Sequence, residues 1–196
     1  AQAKANALPG QGHMAWQLQV TDSASLKAAA AEVTNRYGRA DVLINSAGYT
    51  QPIAATDLDA LTDELIDDML RVNFRGVIAS IRAFVPLLKA SGDGLVVNIS
   101  SIAAFTGVGS NLAYVAAKAG TDVVGDALAK ALAPQVRVVS VSPGVVDTGF
   151  VPGRGADFNE KASATIPLKR VGTAQDVAAA VEACATTLRY MTGTRL

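Results

Sequence analysis

Ser100-Ser101-Ile102-Ala103-Ala104-Phe105-Thr106-Gly107-Val108-Gly109-Ser110-Asn111-Leu112-Ala113-Tyr114-Val115-Ala116-Ala117-Lys118 is the stretch whose reading decides the fold. It follows an apolar run, Leu95-Val96-Val97-Asn98-Ile99, that reads as a buried strand. It crosses a Gly/Ser-containing loop and closes inside a helix that carries Tyr114 and Lys118. Residues four apart share one helix face. A lysine ammonium beside a phenol favours the phenolate and is expected to lower the tyrosine pKa from about 10. A serine delivered from the strand end reaches the same place, so the three make a proton-transfer site for an alcohol or carbonyl. Alone, Tyr-x-x-x-Lys reads far more readily as a packing aromatic and a solvated charge than as a site. The surrounding chain decides between the two.

Outward from this stretch, short apolar runs alternate with helical ones. Strands are expected over 14–20, 41–45, 95–99 and 136–141, and helices over 23–37, 63–88, 112–132 and 174–190. Ser23 is a candidate N-cap and Gly38 a stop. The long helix is expected to end near Pro86, and the Ala-rich one before Pro134. Apolar strands separated by helices of about ten residues or more imply a parallel sheet covered on both faces. Such sheets bind ligands at the carboxyl ends of their strands. Those ends hold Asn45-Ser46-Ala47-Gly48, Ser101, and Ser142-Pro143-Gly144-Val145-Val146-Asp147-Thr148. Each reads singly as an ordinary strand-to-helix turn; together with Tyr114 and Lys118 they point to one site.

The composition narrows the class. The 196 residues suit one domain; half are hydrophobic, 17% are charged, and the formal net charge is zero. That balance lacks the basic footprint of a nucleic-acid binder. No apolar run is long enough to span a bilayer, Arg82 interrupting the best candidate. The single cysteine, Cys184, has no internal disulfide partner, so a reducing cytoplasm is the expected location. No His/Cys/Asp cluster has metal-ligand spacing. Asp57, Asp59, Asp63, Glu64, Asp67 and Asp68 read as a solvated acidic face, His13 as an exposed turn residue, Trp16 as packing, and Cys184 as a core thiol. Both ends read as cut: Ala1 to Leu8 resembles the tail of a helix stopped by Pro9-Gly10, and no closing element is expected after Thr192-Gly193.

These residues resemble the short-chain dehydrogenase/reductase family over nearly the whole chain. Asn45-Ser46-Ala47-Gly48 is similar to the family's Asn-Asn-Ala-Gly, and Val72-Asn73-Phe74-Arg75-Gly76 to its helix asparagine motif. Ser101 stands 13 positions before Tyr114, the family's catalytic-serine spacing, which Ser100 does not meet. Tyr114 and Lys118 match Tyr-x-x-x-Lys. Pro143, Gly144 and Thr148 match the loop that holds the nicotinamide end of a cofactor, and Ile166 to Gly172 the segment after the substrate loop. The departures are the family's opening strand, glycine-rich phosphate loop, helix and second strand, together with its C-terminal strand. Gln19 stands where an acidic residue usually precedes Val-Thr, and Val139 where asparagine is common.

The resemblance implies an α/β, Rossmann-like, doubly wound parallel sheet with helices on both faces, incomplete at both ends, as a single domain over 1–196. It implies an oxidoreductase moving a hydride between NAD or NADP and a ketone or secondary alcohol. Ser101, Tyr114, Lys118 and Asn73 are the expected catalytic set, with Tyr114 as acid or base, Lys118 on a ribose hydroxyl, and Asn73 fixing a water that joins Lys118 to solvent. Asn45, Ala47, Gly48, Tyr114, Lys118, Pro143, Gly144, Val146 and Thr148 are the expected cofactor contacts. Ser101, Tyr114, Phe150 and Val151 face the substrate, under a loop at about 149–165 in which Arg154 meets any anionic group. Without the phosphate loop, weak dinucleotide binding is expected. A noncatalytic nucleotide sensor or scaffold on the same fold is the alternative, disfavoured by the intact acid/base set. A sugar-nucleotide epimerase or dehydratase needs a larger substrate domain than the 78 residues after Lys118 allow. The family also implies a homodimer or homotetramer through the helices 63–88 and 112–132, with no membrane or nucleic-acid partner.

Overall fold

A computed structural model describes residues 2–196. A short helix, α1 (Gln2–Asn6), precedes α2 (Ser23–Tyr37), β1 (Val42–Asn45), α3 (Asp63–Leu70), a π-helical turn (Arg71–Arg75), α4 (Gly76–Ser91) and β2 (Gly94–Ile99). Then follow α5 (Ala103–Thr106), α6 (Leu112–Leu132), β3 (Val136–Val141), α7 (Phe158–Thr165), α8 (Ala174–Thr186) and β4 (Thr194–Arg195). The four strands form one parallel sheet in the order β1-β2-β3-β4.

Alternate residues of the central strands feed two cores, as strand periodicity requires. Val96, Val136 and Val138 pack with Val77, Ile81 and Leu88 of α4 and Ala129 of α6. Leu95, Val97, Val139 and Val141 pack on the other face, against Cys184 of α8. Both faces of the sheet are therefore covered, and β2 and β3 are apolar throughout for that reason. Gly94 sits where a Cβ would come 2.6 Å from the Leu88 carbonyl oxygen, so α4 lies tight against the start of β2.

Five expectations change. Residues 14–20 form no strand: they pair with no neighbour, and Trp16 and Leu18 lie about 40% exposed. An edge strand needs a ladder partner, and β1 takes only β2 among the described residues. Asp22, not Ser23, caps α2, its carboxylate accepting from the Ala24 N–H at 2.8 Å. The helix expected to stop near Pro86 runs on to Ser91 and ends at Gly92, whose φ of 80° closes it. Pro86 is tolerated because it and Arg82, the residue four earlier whose carbonyl loses its donor, both face water. The last helix stops at Thr186, short of Tyr190. A closing strand is present: Gly193, at φ 63°, turns the chain onto the edge of β3, where Val139 pairs with Thr194 and Ser140 with Arg195. Two residues carry too little periodicity to be read as a strand.

Candidate active site

The loops after β1, β2 and β3 converge at the carboxyl edge of the sheet, above the start of α6. Asn111 caps that helix: its Oδ1 accepts the backbone N–H of Tyr114 at 2.7 Å. Its Nδ2 donates to the Gln51 carbonyl at 2.8 Å and to Thr50 Oγ1 at 3.4 Å. Thr50 in turn bonds the Ser110 hydroxyl. Asn111 is 2% exposed and Thr50 4%, so a buried amide ties the loop after β1 to the backbone of Tyr114 itself. Sequence reading missed both; an Asn three residues before Tyr114 at a helix start was the available signal.

Tyr114 is buried with its ring against Met69, Ala103 and Ala113, and its centroid is 6.0 Å from that of Phe150. Ser101 stands beside the phenol, and its hydroxyl accepts from the Ala103 N–H at 3.2 Å. Lys118, one turn further along α6, is 6% exposed. Its ammonium donates to the Ile99 carbonyl at 2.7 Å and lies 5.6 Å from the Tyr114 ring centroid. Burial pushes the Tyr114 phenol above its ordinary value, and the Ser101 hydrogen bond opposes this in part. The expected lowering by Lys118 is absent from this arrangement, because the ammonium is turned to the end of β2. Burial lowers the Lys118 pKa from 10.5 to about 8, against the attraction of Asp122.

Asn73 is fully buried in the π-helical turn. Its Oδ1 accepts from the Tyr49 N–H at 3.1 Å, and its Nδ2 donates to the carbonyls of Tyr49 at 3.0 Å and Met69 at 3.1 Å. This side chain clamps the loop after β1, and no donor of it remains for a water beside Lys118. Its own carbonyl accepts from Thr121 of α6 at 3.3 Å. Gly48 allows this clamp, since a Cβ there would lie 2.5 Å from Asn73 Oδ1. Gly48→Ala is expected to lower stability by about 1–3 kcal/mol by displacing Asn73. Thermal denaturation checks this, and an unchanged Tm would contradict the clamp.

A cleft of about 1300 Å³ opens over these groups. Gly48, Ser101, Tyr114, Lys118, Pro143, Gly144, Val146, Thr148, Phe150 and Val151 all line it, as expected from the sequence. Asn45 and Ala47 do not: they line a small separate crevice with Val20 and Val72. Asn45 instead donates to Asn98 Oδ1 at 2.9 Å, joining the ends of β1 and β2. One cleft wall that sequence reading missed is an apolar face of α8 with Val177, Ala178 and Val181. The exposed side chains Val42 and Ile44 of β1 also line the cleft.

The expected loop at about 149–165 is half helix, since α7 fills its second part. Arg154 lines the cleft. Its guanidinium stacks 4.3 Å over the Phe158 ring and donates to the Val146 carbonyl at 3.0 Å. Asn159 of α7 donates to Asp147 at 2.8 Å, and Val146 forms a bridge with Gly172. The lid is thus fastened to the loop after β3. No group of three His, Cys, Asp or Glu among the described residues is placed to hold a metal, and no described helix is long and apolar enough to cross a membrane.

Residues 1–196 match the family model described as "Enoyl-(Acyl carrier protein) reductase". The chain is 37% identical over 164 residues to the Streptomyces violaceoruber protein named "Granaticin polyketide synthase putative ketoacyl reductase 2", covering 83% of this chain and 66% of that protein. It is 34% identical over 176 residues to 3-oxoacyl-[acyl-carrier-protein] reductase FabG of Thermotoga maritima, covering 89% of this chain and 70% of that one. A crystal structure titled as a "putative short-chain dehydrogenase/reductase" from Burkholderia xenovorans superposes with a TM-score of 0.87 at 32% identity. It covers 93% of this chain and 73% of the other. The chain thus spans about two thirds of the length of such curated relatives.

Proposed function

This chain belongs to the short-chain dehydrogenase/reductase family, and on that premise we propose that it serves an NAD(P)-dependent oxidoreductase interconverting a ketone and a secondary alcohol. The observation that carries the reading is the convergence of Ser101, Tyr114 and Lys118 on one cleft at the carboxyl ends of parallel strands. The residues present fit the nicotinamide half of a dinucleotide. Gly48, Pro143, Gly144, Val146 and Thr148 line the cleft together with Lys118, whose ammonium would meet a ribose hydroxyl. When bound, NAD(P) supplies the hydride chemistry.

The protein's own part is proton transfer and orientation. Tyr114, kept protonated by burial, donates its phenolic proton to the carbonyl oxygen in reduction and accepts it in oxidation. Ser101 hydrogen-bonds that oxygen as charge develops on it. Lys118 would hold a ribose hydroxyl of the bound cofactor. Asn73 acts through the loop it clamps, and its carbonyl is the group that faces α6. Phe150, Val151 and the α8 face exclude water from the reacting carbon.

The apolar walls favour a ketone on an apolar body, such as a 3-oxoacyl thioester, over a small anionic ketone. NADH and NADPH oxidation measured against 3-oxoacyl thioesters, cyclic ketones and short keto acids tests this. Turnover confined to keto acids would overturn the substrate class, and turnover of none would overturn the activity.

The outward stripe of α6 supports the reading of a homodimer or homotetramer. Leu112, Ala116, Val123, Ala127 and Ala131 are exposed on one face while the opposite face is buried on the sheet. A two-fold contact there brings the same stripe together from both subunits. Val123→Glu is expected to convert the assembly to smaller species by light scattering; a monomeric parent, or an assembly indifferent to the change, would refute it.

A further inference from the structure

Across the α6-facing side of the sheet runs a row of polar residues, one per strand. Asn45 is in register with Asn98, Asn98 with Ser140, and Ser140 with Arg195. Parallel partners in register share a face, and a Cβ placed on Gly125 of α6 would touch Asn98 and Ser140. Arg195 rises from the end of this row to Asp122 of α6, its Nε 3.2 Å from Asp122 Oδ2, and it also pairs with Asp126. Asp122 is 3% exposed, and neither carboxylate oxygen accepts a hydrogen bond within the protein. It lies four residues, one helical turn, behind Lys118 on the buried stripe of α6.

Lys118 is itself a buried cation with no carboxylate in salt-bridge contact, its one bond going to the Ile99 carbonyl. Burying an ammonium without a counter-charge is costly, so the nearest buried carboxylate controls how long it stays charged. The other elements packed on α6 offer little. From α3, Asp68 is taken by Arg71 and Tyr49 at the outer surface. Arg75 of the π-helical turn bonds the Thr21 carbonyl. α5 carries no charged residue; β2 and β3 present Ile99, Asn98 and Ser140 here, and the one charged residue of β3, Arg137, bonds the Cys184, Leu188 and Met191 carbonyls. Tyr114 lies on α6 itself, and Glu182 of α8 lines the cleft.

We propose that Asp122, braced by Arg195 of the last strand, is a positioning residue whose buried charge keeps the Lys118 ammonium protonated at the cleft. This rests on the reading of Lys118 as part of the proton-transfer set. It makes the closing strand a part of the site's electrostatics, because Arg195 fixes the carboxylate and partly offsets it. The attraction of Asp122 that opposes the burial of Lys118 agrees with this.

NMR titration of the Lys118 side-chain signals, assigned by their loss in Lys118→Met, reads the effect without any turnover. Asp122→Asn keeps the shape of the side chain and is expected to lower the Lys118 midpoint by about one pH unit, a tenfold change in its proton affinity. Arg195→Met is expected to raise it, and Arg195→Lys to leave it in place. A midpoint moved by less than about 0.2 in a folded Asp122→Asn protein overturns the proposal, as does a downward shift in Arg195→Met. With a ketone substrate, kcat is expected to fall about twofold at pH 7 and about fivefold at pH 8 in Asp122→Asn, with KM unchanged. Should the midpoint shift while Lys118→Met retains full turnover, the proton-transfer reading fails and the Asp122 assignment stands.

Discussion

Tyr114→Phe is expected to lower turnover by about 10²- to 10⁴-fold, the range contributed by a positioned general acid, while cofactor affinity and fold persist. The change removes one oxygen. The ring keeps its contacts with Met69, Ala103 and Ala113, so little packing is lost. Burial holds the phenol protonated at neutral pH, which suits a donor to a carbonyl oxygen; reduction is therefore expected to dominate there. Oxidation needs the phenolate, so its rate is expected to rise with pH, and that rise is expected to vanish in the Phe variant. Steady-state rates in both directions, with cofactor binding followed by fluorescence, provide the check. Turnover within about tenfold of the parent would remove Tyr114 from the acid/base role.

The second large effect sets function against stability. Burial lowers Lys118 from its ordinary 10.5 to about 8 in the folded protein. Between these values the unfolded chain binds more protons, so stability rises with pH across that window. Below about 8 the whole penalty of the buried charge is present, on the order of 3 kcal/mol before the bond to Ile99 is counted. Lys118→Met fills the same volume without the charge. It is expected to be more stable than the parent at pH 7 by about 1–3 kcal/mol, with the difference shrinking towards pH 10. It is also expected to bind cofactor more weakly and to turn over slowly. Thermal denaturation at pH 7 and pH 10 decides the matter: a variant less stable at pH 7, or a difference independent of pH, would contradict the cost assigned to this lysine.

The alternation of apolar runs with helices, and the spacing of Ser101, Tyr114 and Lys118, were local properties legible in the linear chain. Periodicity determines which face is buried, and a helix places residues four apart on one side. The parallel sheet, both of its covered faces and the stop at Gly38 follow from such local rules, whereas most of the cleft lining was expected from the family resemblance. What the tertiary structure alone decided depends on partners distant in sequence. Residues 14–20 have strand-like composition but find no ladder partner, and β4 is too short to show a period yet pairs because β3 offers an open edge. Asn73 reads as a water-holding residue until Tyr49 and Met69 use its amide. The protonation of Tyr114 and Lys118 belongs to this second group. Desolvation and the direction of the ammonium towards Ile99 set it, and both arise only when α6 is laid on the sheet.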